Sequence, residues 1–504
     1  MGTESNSIGN TFRRGHMRKS GILLHPTSLP GEWGIGELVP WAYHFVDFLA
    51  ESGQQLWQIL PLGPTGIGYS PYQSYSSFAH NPLLISIQAL VDQGWLSSGD
   101  LAESPDFPES SVDFDSVAPF KLNLIQKASK AFFSKNSDPL RQAFIEFCQR
   151  QKSWLDPFAE FTVLKALNSN AAWTDWSVKR VDDPRLILEQ KFVQFEVFRE
   201  WSSLKKYCNE RGIEIIGDLP IFVAHDSADV RANPHLFDLD EKGQPRNVAG
   251  VPPDYFSETG QRWGHPLYRW DVMAQEGYRW WIDRIEIMLQ QVDLIRLDHF
   301  RGFEKYWEIP ADSETAVKGR WVKGPGDRFF GAIKKALGKL PFIAEDLGYM
   351  TPGVHALRDR WKFPGMRVLH FAFGDESKEN PHKPYNFVRN CIAYTGTHDN
   401  NTTAGWFEGK DRAYASNEID RALRYMGVDL RDAVWGFICL LLSSVADNAI
   451  LPMQDVLGLG SEARMNTPAT VGGNWAWRMM PGQMTPELAS RLHELNRIYG
   501  RLPS

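Results

Sequence analysis

The chain has 504 residues, 43% of them hydrophobic and 23% charged, with a formal net charge of −7. It is too long for one simple core, so it is either several domains or one large globular fold with insertions. The charge balance and the lack of any lysine- or arginine-rich run disfavour a nucleic-acid partner. The four cysteines (Cys148, Cys208, Cys391, Cys439) form no CxxC or Cys/His cluster, so reduced, buried thiols are expected rather than a disulfide scaffold or a zinc site.

Residues 1–20 carry no apolar segment of the secretory type and read as a disordered tail. No run reaches the length of a membrane span, which predicts a cytoplasmic protein with no membrane partner. After the tail, eight short apolar, β-branched segments read as buried strands: 21–26, 55–62, 213–221, 294–300, 342–348, 367–373, 391–399 and 449–456. Helical patterns at 41–51, 278–291, 327–337, 353–361 and 431–447 lie between them. Strands alternating with helices predict an α/β fold, a closed (β/α)₈ TIM barrel. A doubly wound sheet is the alternative, but no GxGxxG follows the first strand. About 150 residues separate the second and third strands, with helical stretches near 116–135, 140–167 and 186–211. A single catalytic barrel over 21–504 is therefore expected, with a helical subdomain inserted at about 86–212 and an active-site loop region at about 222–274.

Acidic residues gather where the predicted strands end: Asp218, Asp298, Glu345 and Asp346, and Asp399. Active sites of such barrels lie at that face. Side chains alternate along a strand, so Arg296 and Asp298 point the same way, and the arginine holds Asp298 ionised and oriented, as a nucleophile requires. Glu345 sits across from it. Near other carboxylates and partly desolvated, it keeps its proton to higher pH, as a general acid does. Such a pair can perform retaining glycoside chemistry, with the carboxyl groups roughly 5–5.5 Å apart. Any one of these carboxylates alone is better read as a helix cap or an arginine partner. A metal site using His299 and His398 is the other reading, but no HExxH or histidine-rich cluster accompanies them. The 19 Trp, 15 Tyr and 30 Phe fill a large core and would also suit a sugar cleft.

The segments DLIRLDHFRGF (293–303), IAEDLG (343–348) and YTGTHDNNT (394–402) resemble the catalytic motifs of the amylomaltase (4-α-glucanotransferase) family, within the α-amylase-like clan. GDLPIFVAHDSADV (217–230), LPLGPTGIGYSPYQSYSSFAHNPLLI (60–85) and GVPPDYFSETGQRWGHPLYRW (250–270) are similar to further motifs of that family. ARMNTPATVGGNWAWR (463–478) matches a C-terminal signature loosely, with Ala469 where glycine is usual, and Glu37 stands where aspartate is more common. The resemblance implies a retaining 4-α-glucanotransferase with Asp298 as nucleophile, Glu345 as acid/base and Asp399 as transition-state stabiliser. It also implies that Arg296 positions Asp298, and that His398, Asp218 and Asp375 bind the sugar at the cleavage site. Tyr72, Tyr255, Phe256 and Trp263 would line the glucan path. No cofactor or catalytic metal is implied. The partners would be α-1,4-glucans and maltooligosaccharides, with glucose as acceptor, and the protein would be a monomer or weak homo-oligomer. An α-amylase-type hydrolase and a non-catalytic glucan-binding barrel are the competing readings. The latter is expected to lack one of the three carboxylates, and all three are present.

Overall fold

The computed structural model describes residues 18–135, 139–253, 257–409, 415–470 and 472–503. In chain order its strands are β1 (Lys19–Leu23), β2 (Leu56–Gln58), β3 (Glu214–Pro220), β4 (Asn247–Val251), β5 (Gln261–Pro266), β6 (Leu294–Asp298), β7 (Lys305–Pro310), β8 (Arg320–Lys323), β9 (Phe342–Ala344), β10 (Gly365–Val368), β11 (Cys391–Tyr394) and β12 (Asn448–Pro452). Eight of them close a parallel barrel in the order β1-β12-β11-β10-β9-β6-β3-β2. Each barrel strand falls on one of the eight segments expected from the sequence. The apolar β-branched runs are buried there, as strands covered on both faces require. Of the expected tail, residues 1–17 lie outside the described residues, while Lys19 and Ser20 already belong to β1.

The helix Trp41–Glu51 occupies the predicted span. The expected helical stretch at 140–167 is instead two helices, Arg141–Arg150 and Lys152–Leu167. They meet at Gln151, whose φ/ψ of −98°/9° leaves the helical region and whose Oε1 accepts a 2.8 Å hydrogen bond from Trp154 Nε1. The helix Pro184–Glu210 starts with Asp183 as N-cap, accepting from the Arg185 amide, and with proline at the first position, where its missing N–H leaves nothing unsatisfied. Lys121, on the helix Phe114–Ser134, forms a fully buried ion pair with Glu37 in the segment after β1. Its Nζ also donates to the Ile85 carbonyl at 2.9 Å, so one cation ties the helical insertion to the barrel.

A second sheet was not anticipated. β5, β4, β7 and β8 pair antiparallel in that order, within and beyond the 222–274 region. Their solvent-facing residues dilute the apolar signal that marked the barrel strands. The barrel seam is latched by Arg501, a buried guanidinium that donates to the carbonyls of Lys19 (2.8 Å), Leu442 (2.7 Å), Ser444 (3.2 Å) and Ala446 (3.1 Å). Among the described residues, no helix is long and apolar enough to cross a membrane.

Candidate active site

β3 and β6 are neighbours, and their register sets Asp218 opposite Arg296. Arg296 and Asp298, two residues apart, share a face, so the guanidinium lies between two carboxylates. Arg296 Nη1 is 2.7 Å from both Asp218 oxygens and 3.0 Å from Asp298 Oδ1. Burial lowers the pKa of this arginine, but Asp218 and Asp298 outweigh it and hold the cation firmly protonated. Burial likewise pushes the Asp218 carboxyl up, and Arg296 pulls it back. Beneath this layer, the buried Tyr394 hydroxyl donates to Gln58 Oε1 at 2.8 Å.

Glu345 follows β9, the other neighbour of β6. The chain turns sharply after Asp298 because His299 is in the left-handed region, φ 49° and ψ 51°. That turn aims the His299 amide at Glu345 Oε2, 2.8 Å away, while the Leu347 amide donates to Oε1 at 2.9 Å. Burial raises the Glu345 pKa to about 7, and the Asp298 charge adds to it; Arg296 and the Leu347 amide oppose it without prevailing. Two carboxyl groups on adjacent strand ends thus differ in environment, one beside an arginine and one desolvated.

Beyond β11, His398 and Asp399 are fixed from both sides. Tyr72 Oη lies 2.8 Å from Asp218 Oδ2 and 2.9 Å from His398 Nε2. Burial, then the Asp218 charge, keeps the phenol protonated. Its single proton goes to Asp218, so His398 Nε2 is the donor to Tyr72 Oη, and it also faces Asp399 Oδ2 at 3.4 Å. Asn466 Nδ2 donates to Asp399 Oδ1 at 2.7 Å, and Arg464 Nη2 to the Asp399 carbonyl at 2.9 Å.

A family model described as 4-alpha-glucanotransferase matches residues 24–484. The chain belongs to this family. The 4-alpha-glucanotransferase of Synechocystis sp. is 47% identical over 500 residues, covering 96% of this chain and 98% of its own. That of Thermus thermophilus is 47% identical over 505 residues, covering 96% and 99%. Among solved structures, an amylomaltase from Streptococcus agalactiae in complex with acarbose is similar with a TM-score of 0.91 at 38% identity, covering 96% of this chain and all of that one. The protein is accordingly a 4-α-glucanotransferase, a transferase acting on glucans, built on a (β/α)₈ barrel.

In this 4-α-glucanotransferase the structure brings together Asp218, Arg296, Asp298, Glu345, His398, Asp399 and Tyr72. Trp263 joins them by setting its ring edge-on to His299, centroids 4.8 Å apart. Asp375 stands in an exposed turn after β10, where it accepts from the Ser377 amide at 3.0 Å and lies 3.9 Å from Lys383 Nζ. Tyr255 and Phe256 lie outside the described residues. Sequence reasoning assigned no role to Asn466, Arg464 or Trp475, although all three stand in the quoted 463–478 stretch; Trp475 packs 5.7 Å from Tyr72 and 6.1 Å from His398. In the same stretch Ala469 has φ 62°, the conformation that makes glycine the usual residue.

Proposed function

We propose that this glucanotransferase works by retaining double displacement, with Asp298 as nucleophile, Glu345 as acid/base and Asp399 as the carboxylate that grips sugar hydroxyls. The observation that carries this reading is the pairing of an arginine-held aspartate with a glutamic acid that burial keeps half-protonated near neutrality, joined through the His299 amide. In the first step the Asp298 carboxylate attacks the anomeric carbon, the glycosidic C–O bond breaks, and Glu345 gives its proton to the departing oxygen. In the second, the now ionised Glu345 takes the proton of an acceptor hydroxyl, whose oxygen attacks the same carbon and releases Asp298. Two inversions retain the α configuration. Arg296 orients Asp298, while Asp218, His398 and Tyr72 form the polar wall for the sugar being transferred.

The acceptor is the 4-OH of glucose or a maltooligosaccharide, and the donors are α-1,4-glucans. The similar amylomaltase solved in complex with acarbose supports this choice. The four free thiols suit a reducing cytoplasm. We read residues 21–504 as one catalytic unit whose 86–212 and 222–274 insertions shape the glucan path, acting as a monomer or weak homo-oligomer. Incubation with maltotriose tests the reading: a ladder of longer glucans plus glucose is expected from the wild type, and neither from Asp298→Asn or Glu345→Gln. Glucose and maltose alone would mark a hydrolase. A Trp263→Ala variant is expected to weaken glucan binding, and Asp375→Ala tests whether that turn touches substrate at all.

A further inference from the structure

β5 reaches the site through a bulge. Between the Val248–Pro266 and Gly250–Arg262 pairs, β5 carries Trp263, Gly264 and His265 against Ala249 alone, and Gly264 takes φ +78°. A bulge re-aims side chains, here two of them on either side of a glycine. Trp263 meets the ring of His299, the residue after the nucleophile. His265 is turned inward, 8% exposed, with both ring nitrogens buried and neither hydrogen-bonded. An imidazole always carries at least one donor, and buried donors in native proteins are nearly always paired, so a ring with two orphans beside a substrate cleft awaits a partner. His299 Nε2, on the ring that meets Trp263, is likewise buried and without a hydrogen bond.

The neighbours of Trp263 suggest the side of the scissile bond to test for that partner. The wall of Asp218, Tyr72, His398 and Asp399 faces the sugar to be transferred. Glu345, which must reach the oxygen of the departing sugar, is tied to the His299 amide; His299 touches Trp263, and His265 follows two residues on. Building on the roles given above for Asp298 and Glu345, we propose that His265 hydrogen-bonds a hydroxyl of the glucosyl unit on the Glu345 side of the bond, the unit that leaves in the first step and arrives as acceptor in the second. The residue is then specificity-determining for transfer. Burial holds its pKa down at about 4 against the opposing pull of Asp298, so it meets the sugar as a neutral ring, one nitrogen donating and the other accepting.

α-Maltosyl fluoride separates the two sides, because it carries fluoride where a glucan carries the departing sugar. For His265→Ala, fluoride release and transfer to glucose are measured together. The expected result is a loss at least tenfold larger in kcat/KM for glucose as acceptor than in fluoride release. Equal losses would overturn the assignment, as would an unchanged acceptor KM. His265→Asn keeps a donor and an acceptor and is expected to retain more transfer than His265→Ala. Singly deoxygenated glucose acceptors give a reading that holds even if the alanine variant fails to fold. One deoxy position should penalise the wild type most, His265→Asn less and His265→Ala not at all; identical deoxy profiles in all the folded proteins would refute the contact. Asp298→Asn assayed alongside reports separately on the nucleophile, since only failure of that role would leave its fluoride release intact.

Discussion

Replacing Glu345 by glutamine removes the proposed proton donor while keeping the shape that the His299 and Leu347 amides hold. With a pKa of about 7, Glu345 is protonated in roughly half of the molecules at pH 7 and in roughly one-tenth at pH 8, whereas a carboxyl at its ordinary 4.5 would be protonated in fewer than about one in a hundred at pH 7. The kcat/KM for maltotriose, which reports the first step on free enzyme, is therefore expected to fall about tenfold per pH unit above a midpoint near 7. Glu345→Gln should lower it by about 10²–10⁴-fold at pH 6, the usual worth of a positioned acid. α-Maltosyl fluoride needs no proton to leave, so its first step should be spared most of that loss and should show no alkaline limb. The assay is glucose release from maltotriose against fluoride release over pH 5–9. An alkaline midpoint below pH 6, or equal losses on both donors, would refute the account of burial as the source of the acid.

The same carboxyl sets a stability trend. The folded protein keeps a proton that the unfolded chain has released between about pH 4.5 and 7, so this group's contribution is complete below that window and is lost as pH rises through it. Glu345→Gln, which does not titrate, should gain on the wild type by up to about 3 kcal/mol between pH 4.5 and 8, read from denaturant midpoints. Lys121→Met would strand Glu37 in the interior and should cost about 3–5 kcal/mol, while adding Glu37→Leu should restore most of it by urea unfolding. Asn466→Ala frees one oxygen of Asp399 and is expected to lower kcat/KM for maltotriose about 10–100-fold with the unfolding midpoint little changed, in line with loss of a hydrogen bond to a charged group. Ala469→Gly relieves a left-handed alanine and should raise stability by about 0.5–1 kcal/mol once the greater freedom of the unfolded glycine is subtracted.

The barrel was legible because its strands are buried on both faces and four of the runs carry acidic residues toward their C-terminal ends. The partnership of Arg296 with Asp298 followed from two-residue alternation along β6. Its second partner, Asp218, could not be read the same way, since that ion pair depends on the register between β3 and β6. Asn466 and Asp399 are 67 residues apart in sequence, and only the folded C-terminal segment reveals which polar atom reaches which. The β5-β4-β7-β8 sheet escaped because Gly264 breaks the alternation of β5 and the neighbouring strands present mixed faces. The local bond by which the Ser377 amide donates to Asp375 belongs to a turn beyond β10 that strand patterning does not describe.

The Arg501 latch bears on how the protein is made. β1 is among the first parts of the barrel to leave the ribosome, yet the carbonyl of Lys19 finds its guanidinium only after β12 and the helix Pro486–Ile498 have been synthesised. Until then one flank of an apolar strand has no neighbour, and nascent chains in that condition invite wrong pairing with other copies. Expression yield should accordingly respond to the pace of translation and to chaperone supply, and an Arg501→Met chain should accumulate in inclusion bodies even though residue 501 lies at the end of the barrel opposite the catalytic rim.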